Sequence, residues 1–144
     1  MSLAIVPFGP EHYADARALW LRTDGVGLSD ADEEPAIRAY LARNPRCSFI
    51  AQDAGRLVGT ILCGHDGRRG LIHHLAVDSE LRRRGAGRAL LAAGLSALRA
   101  EGIAKCHLLV FADNADGLAF WRAVGAQRRS EMELLSLPTD ARPR

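Results

Sequence analysis

Cysteine is scarce, with three in 144 residues. Cys47, Cys63 and Cys106 are odd in number and far apart, which excludes a disulfide framework or a metal-ligand spacing and favours a reducing compartment. No apolar run approaches the roughly 20 residues needed to span a bilayer, so no membrane partner is expected. The opening residues lack a basic stretch followed by an apolar core, and the expectation is a cytoplasmic protein. Charge of one sign is also lacking: the formal net charge is +2. General nucleic-acid binders carry a broad basic face, so nucleic acid is not an expected partner. Repeats, low-complexity stretches and interdomain linkers are missing. With 48% hydrophobic and 25% charged residues, the length suits a single domain, read as residues 1–137, with 138–144 a flexible tail.

The segments that are present alternate between strand and helix patterns. Leu3 to Val6 is a short apolar strand ended by Pro7 and Gly9. Tyr13, Ala16, Leu19 and Trp20 recur at helical spacing through Leu21. Thr23 to Glu33 is polar and glycine-containing, a loop leading to a helix over Glu34 to Arg43, with Pro45 beyond its end. Ser48 to Gln52 and Leu57 to Cys63 predict an antiparallel hairpin around Asp53-Ala54-Gly55-Arg56. Leu71 to Val77 predicts a central strand, and Gly87 to Ala100 a helix stopped by Gly102. Ala104 to Phe111 is a further strand, Asp116 to Val124 a short helix, and Gln127 to Leu137 one or two closing strands. The order β-α-α-β-β-β-α-β-α-β-(β) is an α/β fold, a mixed sheet with helices on both faces.

Between the central strand and the long helix stands Leu81-Arg82-Arg83-Arg84-Gly85-Ala86-Gly87-Arg88, positive charge beside a bare backbone. A strand, an approachable turn and a helix N-terminus together make an anion site. First-turn N–H groups have no internal partner, and the helix dipole adds about half a positive charge there. Gly85 and Gly87 remove side chains that would hold a ligand off the backbone, while Arg82, Arg83, Arg84 and Arg88 supply countercharge. A phosphate fits. The plainer alternative is a solvated basic turn ahead of a helix. The missing Gly-Lys-Ser/Thr ending excludes a Walker A loop. Leu90 stands where a dinucleotide fingerprint has its third glycine, which weakens that alternative, although Asp113 keeps it open.

With these residues the sequence resembles the GNAT family of N-acetyltransferases. Arg82-Arg83-Arg84-Gly85-Ala86-Gly87 is similar to the family's pyrophosphate loop, Arg/Gln-x-x-Gly-x-Gly/Ala. "HHLAVDSELRRRGAG" looks like its strand-to-loop phrase, and Asn114 through "GLAFWRAVGA" resembles its helix beside the cofactor thiol. The resemblance covers nearly the whole chain, and "GHDGRRG" is similar to the small bacterial YpeA-type members. It implies a GNAT fold with central strands splayed around acetyl-CoA, which is the cosubstrate, with no metal. It further implies direct transfer of acetyl to a primary amine of a small molecule, peptide or protein. The cofactor contacts it implies are Leu75, Ala76 and Val77 along the pantetheine arm, Arg82 to Arg88 around the pyrophosphate, and Asn114 and Trp121 beside the thiol. Many members carry an aromatic pair ending in tyrosine, proposed to protonate the departing thiolate. Here the pair is Phe120-Trp121, and an indole N–H donates a hydrogen bond without being a useful acid. Trp121 therefore either orients the thiol or packs its helix. Many members pair through C-terminal strands, so Glu131 to Leu137 is either a homodimer interface or a sheet edge.

Acetyl transfer needs a neutral nitrogen, a carbonyl within reach and stabilisation of the developing oxyanion. Backbone N–H groups near Leu75 suit the last role if the central strands splay there, as in the family. His73 and His74 are adjacent on an expected strand and so face opposite sides. His73 shares the parity of Leu71, Leu75 and Val77, and several relatives carry a carboxylate or histidine base on that side. His73 is thus the candidate catalytic base, with space-filling in a sheet crevice as the alternative. Its ordinary pKa near 6.5 suits proton removal around neutrality. Glu33 and Glu34 either recognise a cationic acceptor or serve as helix N-terminal carboxylates. Cys106 reads as core rather than as a partner of His107. Asn114 either contacts the cofactor or caps the next helix. Two rivals remain: a CoA-binding regulatory or degenerate domain, favoured by the missing tyrosine, and a nucleotide or RNA phosphate binder, whose affinity falls steeply with salt.

Overall fold

A computed structural model describes residues 3–144. Strand β1 (Leu3–Pro7) leads through a 3-10 turn (Pro10–His12) into helix α1 (Tyr13–Leu21), and a second 3-10 turn (Asp30–Asp32) precedes α2 (Glu34–Arg43). Strands β2 (Phe49–Asp53), β3 (Arg56–His65) and β4 (Gly70–Val77) come next, then a third 3-10 turn (Ser79–Leu81), α3 (Ala86–Ala100), β5 (Cys106–Leu108) and α4 (Ala115–Ala123). The sheet runs β1-β2-β3-β4-β5 and is antiparallel except for the β4–β5 pair. A parallel pair needs a crossover, and α3 supplies it.

Local chemistry accounts for these bounds. Ala54 and Gly55 both take positive φ, 51° and 79°, the backbone that a two-residue hairpin between right-twisted strands requires. Helix α2 starts after the extended Glu33 with Pro35 in its first turn, where a missing N–H costs nothing. Each face of the sheet then buries one core. Tyr13, Leu19, Trp20, Ile37 and Leu41 of α1 and α2 cover Ile50, Leu62 and Ala76 on one side. Leu90, Leu91 and Leu98 of α3 cover Val58, Ile61 and Ile72 on the other.

Two irregularities set the geometry around β4. Thr60 pairs with Ala76 but Leu62 pairs with His73, so β4 carries one residue more than β3 over this span. The surplus is a bulge, marked by a φ of 46° at His74. The fully buried Thr60 hydroxyl holds it, donating to the His74 carbonyl at 2.8 Å and accepting from Trp20 Nε1 at 2.9 Å. Strand alternation fails there. His73 meets Tyr40 of α2, with ring centroids 6.0 Å apart, and His74 meets Trp20 of α1 at 4.7 Å. Both histidines therefore face the α1/α2 side, whereas Leu75 and Val77 pack toward α3. This corrects the expectation that His73 and His74 point apart and that His73 shares the parity of Leu75 and Val77.

The second irregularity is a splay. Strand β5 pairs with β4 only at Gly70↔Cys106, Leu71↔His107 and Ile72↔Leu108, while β4 continues to Val77. The strand expected over Ala104 to Phe111 is correspondingly cut to three residues. The closing strands expected over Gln127 to Leu137 do not form either, and this segment is neither strand nor sheet edge. Its apolar alternation breaks at the adjacent Leu134 and Leu135, so no single register faces all its apolar groups one way. Met132, Leu134, Leu135 and Leu137 are exposed. Residues 138–144 hold no helix or strand.

Candidate active site

Where β4 and β5 part, a cavity of about 1180 Å³ opens. Its lining includes the first turn of α3, then Leu75 and Val77, then His73 and His74; Phe120 and Trp121 of α4 line it too, with Asp24 to Gly27 of the α1–α2 loop. One chamber thus joins the N-terminal end of α3 to a pair of imidazoles.

At the helix end, Arg83 and Gly85 both adopt left-handed backbone, with φ of 66° and 82°. A turn of this kind collects successive N–H groups into a concave donor set. Gly85 is the N-cap of α3, and a Cβ there would meet nothing within 4 Å; the glycine answers the backbone angle, not crowding. Gly87 has another reason. A Cβ there would lie 3.3 Å from Phe120 Cε1, so Gly87 seats α4 against α3. Arg82, Arg83 and Arg88 line the cavity beside Gly85 to Gly87, while Arg84 stands outside the lining. Asp78 fixes the entry to this turn, accepting from the Glu80 N–H at 3.2 Å and from Arg22 at 3.1 Å.

The expected contacts along the strand divide. Leu75 and Val77 line the cavity, whereas Ala76 is buried in the core beneath α1 and is not part of the lining. Asn114 does two things at once. Its Oδ1 accepts from the Gly117 N–H at 3.0 Å as the cap of α4, and the residue lines the cavity. Trp121 likewise lines the cavity while packing on the α3-side core.

At the other end, burial pushes the His73 pKa below its ordinary 6.5; His74 pushes the same way and Asp32 opposes. Tyr40, edge-on to His73, has a buried hydroxyl without a hydrogen-bond partner among the described residues, and burial pushes its pKa far up. It stays protonated across the neutral range. His74 is tied instead to Asp32, with Nε2 and Oδ1 2.6 Å apart. Asp32 escapes sequence inspection, which lingers on Glu33 and Glu34. The available signal was Ser29-x-x-Asp32, a capping-box spacing, and Asp32 Oδ2 does accept from the Ser29 N–H at 2.9 Å. Glu33 stands at the N-cap position of α2 without a side-chain capping bond, Glu34 pairs with Arg38 at 3.1 Å, and neither lines the cavity. Cys106 is half-buried in the α3-side core. Burial raises all three thiols, Cys63 to about 12, which leaves no ready thiolate nucleophile. Among the described residues no group of three or more His, Cys, Asp or Glu side chains gathers as a metal ion requires.

Residues 13–126 match the acetyltransferase (GNAT) family. An acetyltransferase of Photorhabdus laumondii is 36% identical over 107 residues, 74% of either chain. Ard1 from Thermoplasma volcanium superimposes with a TM-score of 0.71 at 26% identity, over 87% of this chain and 82% of that one. The PaiA N-acetyltransferase of Thermoplasma acidophilum, solved with coenzyme A, gives 0.73 at 20% identity over 87% and 89% of the two chains. A family match over most of the chain, a fold shared with solved members and a splayed sheet carrying the arginine-glycine turn make this chain a member of the GNAT family and an acetyl-transferring enzyme.

Proposed function

We propose that the chain is an acetyl-CoA-dependent N-acetyltransferase that passes acetyl directly to a primary amine of a small molecule, peptide or protein. The observation that carries this is the single cavity joining the first turn of α3 to the histidine pair of β4. Acetyl-CoA, when bound, supplies the activated acetyl group, and the solved PaiA relative holding coenzyme A supports its assignment as cosubstrate.

The protein's own residues divide the work. First-turn N–H groups from Gly85 to Arg88, with Arg82 and Arg83, hold the pyrophosphate; Arg84 adds countercharge from outside the lining. The backbone of Leu75, Ala76 and Val77, freed from β5 by the splay, hydrogen-bonds the pantetheine arm. N–H groups near Leu75 stabilise the oxyanion. Asn114 and Trp121 border the thiol, and Trp121 donates a hydrogen bond there without surrendering a proton. The acceptor's proton leaves at the histidine pair of β4, where burial holds the His73 pKa below its ordinary 6.5. The enzyme works in a reducing cytoplasm, in keeping with three free thiols.

Calorimetric titration with acetyl-CoA, CoA and ATP, followed by thiol release on an amine panel, tests this. Micromolar acetyl-CoA binding is expected for the wild type and its loss in Arg83→Ala and Gly85→Glu. Binding without thiol release on any amine would favour a CoA-binding regulatory domain, and equal binding of ATP would favour a general phosphate binder.

A further inference from the structure

We propose that Asp32 is a positioning residue that acts through His74, making His74 Nδ1 the atom that accepts the acceptor amine's proton. This rests on the acetyl-transfer function proposed for the chain and names the proton's destination within that site.

The geometry that points here is the number of independent restraints, on backbone and side chain, that hold two residues 42 positions apart. The Asp32 carbonyl accepts from the Tyr13 hydroxyl at 2.7 Å, Oδ2 accepts from the Ser29 N–H at 2.9 Å, and Oδ1 meets His74 Nε2 at 2.6 Å. His74 is fixed as firmly, its carbonyl by Thr60 and its ring by Trp20 on one side and Asp32 on the other. Both side chains of the pair are 13% exposed, which shields the contact from water. An isolated surface ion pair needs no such scaffold.

A carboxylate on Nε2 keeps the proton of the neutral ring there and leaves the lone pair on Nδ1. As the acceptor nitrogen bonds to the acetyl carbon and the thiolate leaves with the C–S electron pair, the nitrogen's N–H bond breaks and its proton moves to Nδ1. The ring becomes imidazolium, with the Asp32 carboxyl group beside its Nε2–H. Every atom and charge is then accounted for within the site. His73 on β4 and Asp32 face the His74 ring, with Tyr13 of α1 behind Asp32 and Tyr40 of α2 behind His73. His73 meets the ring of Tyr40 and forms the neighbouring wall.

The test compares wild type, Asp32→Asn, His74→Gln and the Asp32→Asn/His74→Gln double variant by thiol release from acetyl-CoA with n-propylamine. Calorimetry of acetyl-CoA and 15N spectra of the imidazoles accompany it. Asp32→Asn is expected to lower kcat about 10- to 100-fold with KM for acetyl-CoA within about twofold, and to move the proton of the neutral His74 ring off Nε2 in the 15N spectrum. His74→Gln lowers kcat at least as far, and adding Asp32→Asn to it costs little more. A wild-type His74 spectrum with the neutral proton on Nδ1 overturns the inference without any variant, as does an Asp32→Asn kcat equal to that of the wild type. A wild type that neither binds acetyl-CoA nor releases thiol overturns the underlying function, and this inference with it.

Discussion

Thr60 is a small side chain with two obligations. Its hydroxyl accepts from Trp20 and donates to the His74 carbonyl. Thr60→Val keeps the shape and strands both partners in a dry interior, at an expected cost of about 1–3 kcal/mol. Urea unfolding should show the midpoint falling with an unchanged m-value. His73 gives a pH-dependent counterpart. Burial holds its folded-state pKa below the unfolded value near 6.5, so on acidification the unfolded chain takes the proton first. The stability contribution of the neutral ring is complete above about pH 6.5 and is lost as pH falls toward the folded value. His73→Gln should therefore unfold with a flatter pH dependence between about pH 7.5 and 5.5 than the wild type. Neither residue's environment is legible in sequence. The bulge depends on which β3 residue stands opposite, and strand parity alone puts His73 on the wrong face.

Among the elements, α3 packs tightly on the sheet at Gly94, where a Cβ would come 3.2 Å from Ile61 Cδ1 and 3.6 Å from Cys63 Sγ. Gly94→Val forces helix and strand apart and should cost about 1–3 kcal/mol. Ala92→Val, exposed on the same helix, should cost about 0.5 kcal/mol from helix propensity alone. Paired denaturation curves check the difference. Elements like α3 are where the sequence speaks most plainly. The bounds of α2 follow from Glu33, Pro35 and Pro45, and the β2–β3 hairpin follows from Ala54-Gly55 in the expected turn. Local chemistry fails at β5 and beyond, because the length of a pairing depends on where its neighbour turns away. The apolar residues of Gln127 to Leu137 suggested strands, yet β5 is only three residues long and the alternation breaks within the segment.

At the scale of the whole molecule, the arginine-glycine turn at the start of α3 was legible because charge, glycine and helix start are contiguous from Arg82 to Arg88. The imidazole end was half legible. His73 and His74 announced themselves, but Asp32 reaches His74 across 42 residues of chain, and only the packing of the α1–α2 loop brings them together. The short β4–β5 pairing also carries a consequence in time. With three register pairs holding β5 to the sheet and α4 resting on the far wall of the cavity, the segment from Cys106 to Ala123 is held less firmly than β2 and β3 and should behave as its own foldon. Amide hydrogen exchange in β5 and α4 is expected to run faster than in β2 and β3, and to slow once acetyl-CoA is added. Equal protection throughout the sheet would contradict this. A ligand spanning both walls would act as a clasp, and part of its binding energy would go into closing it.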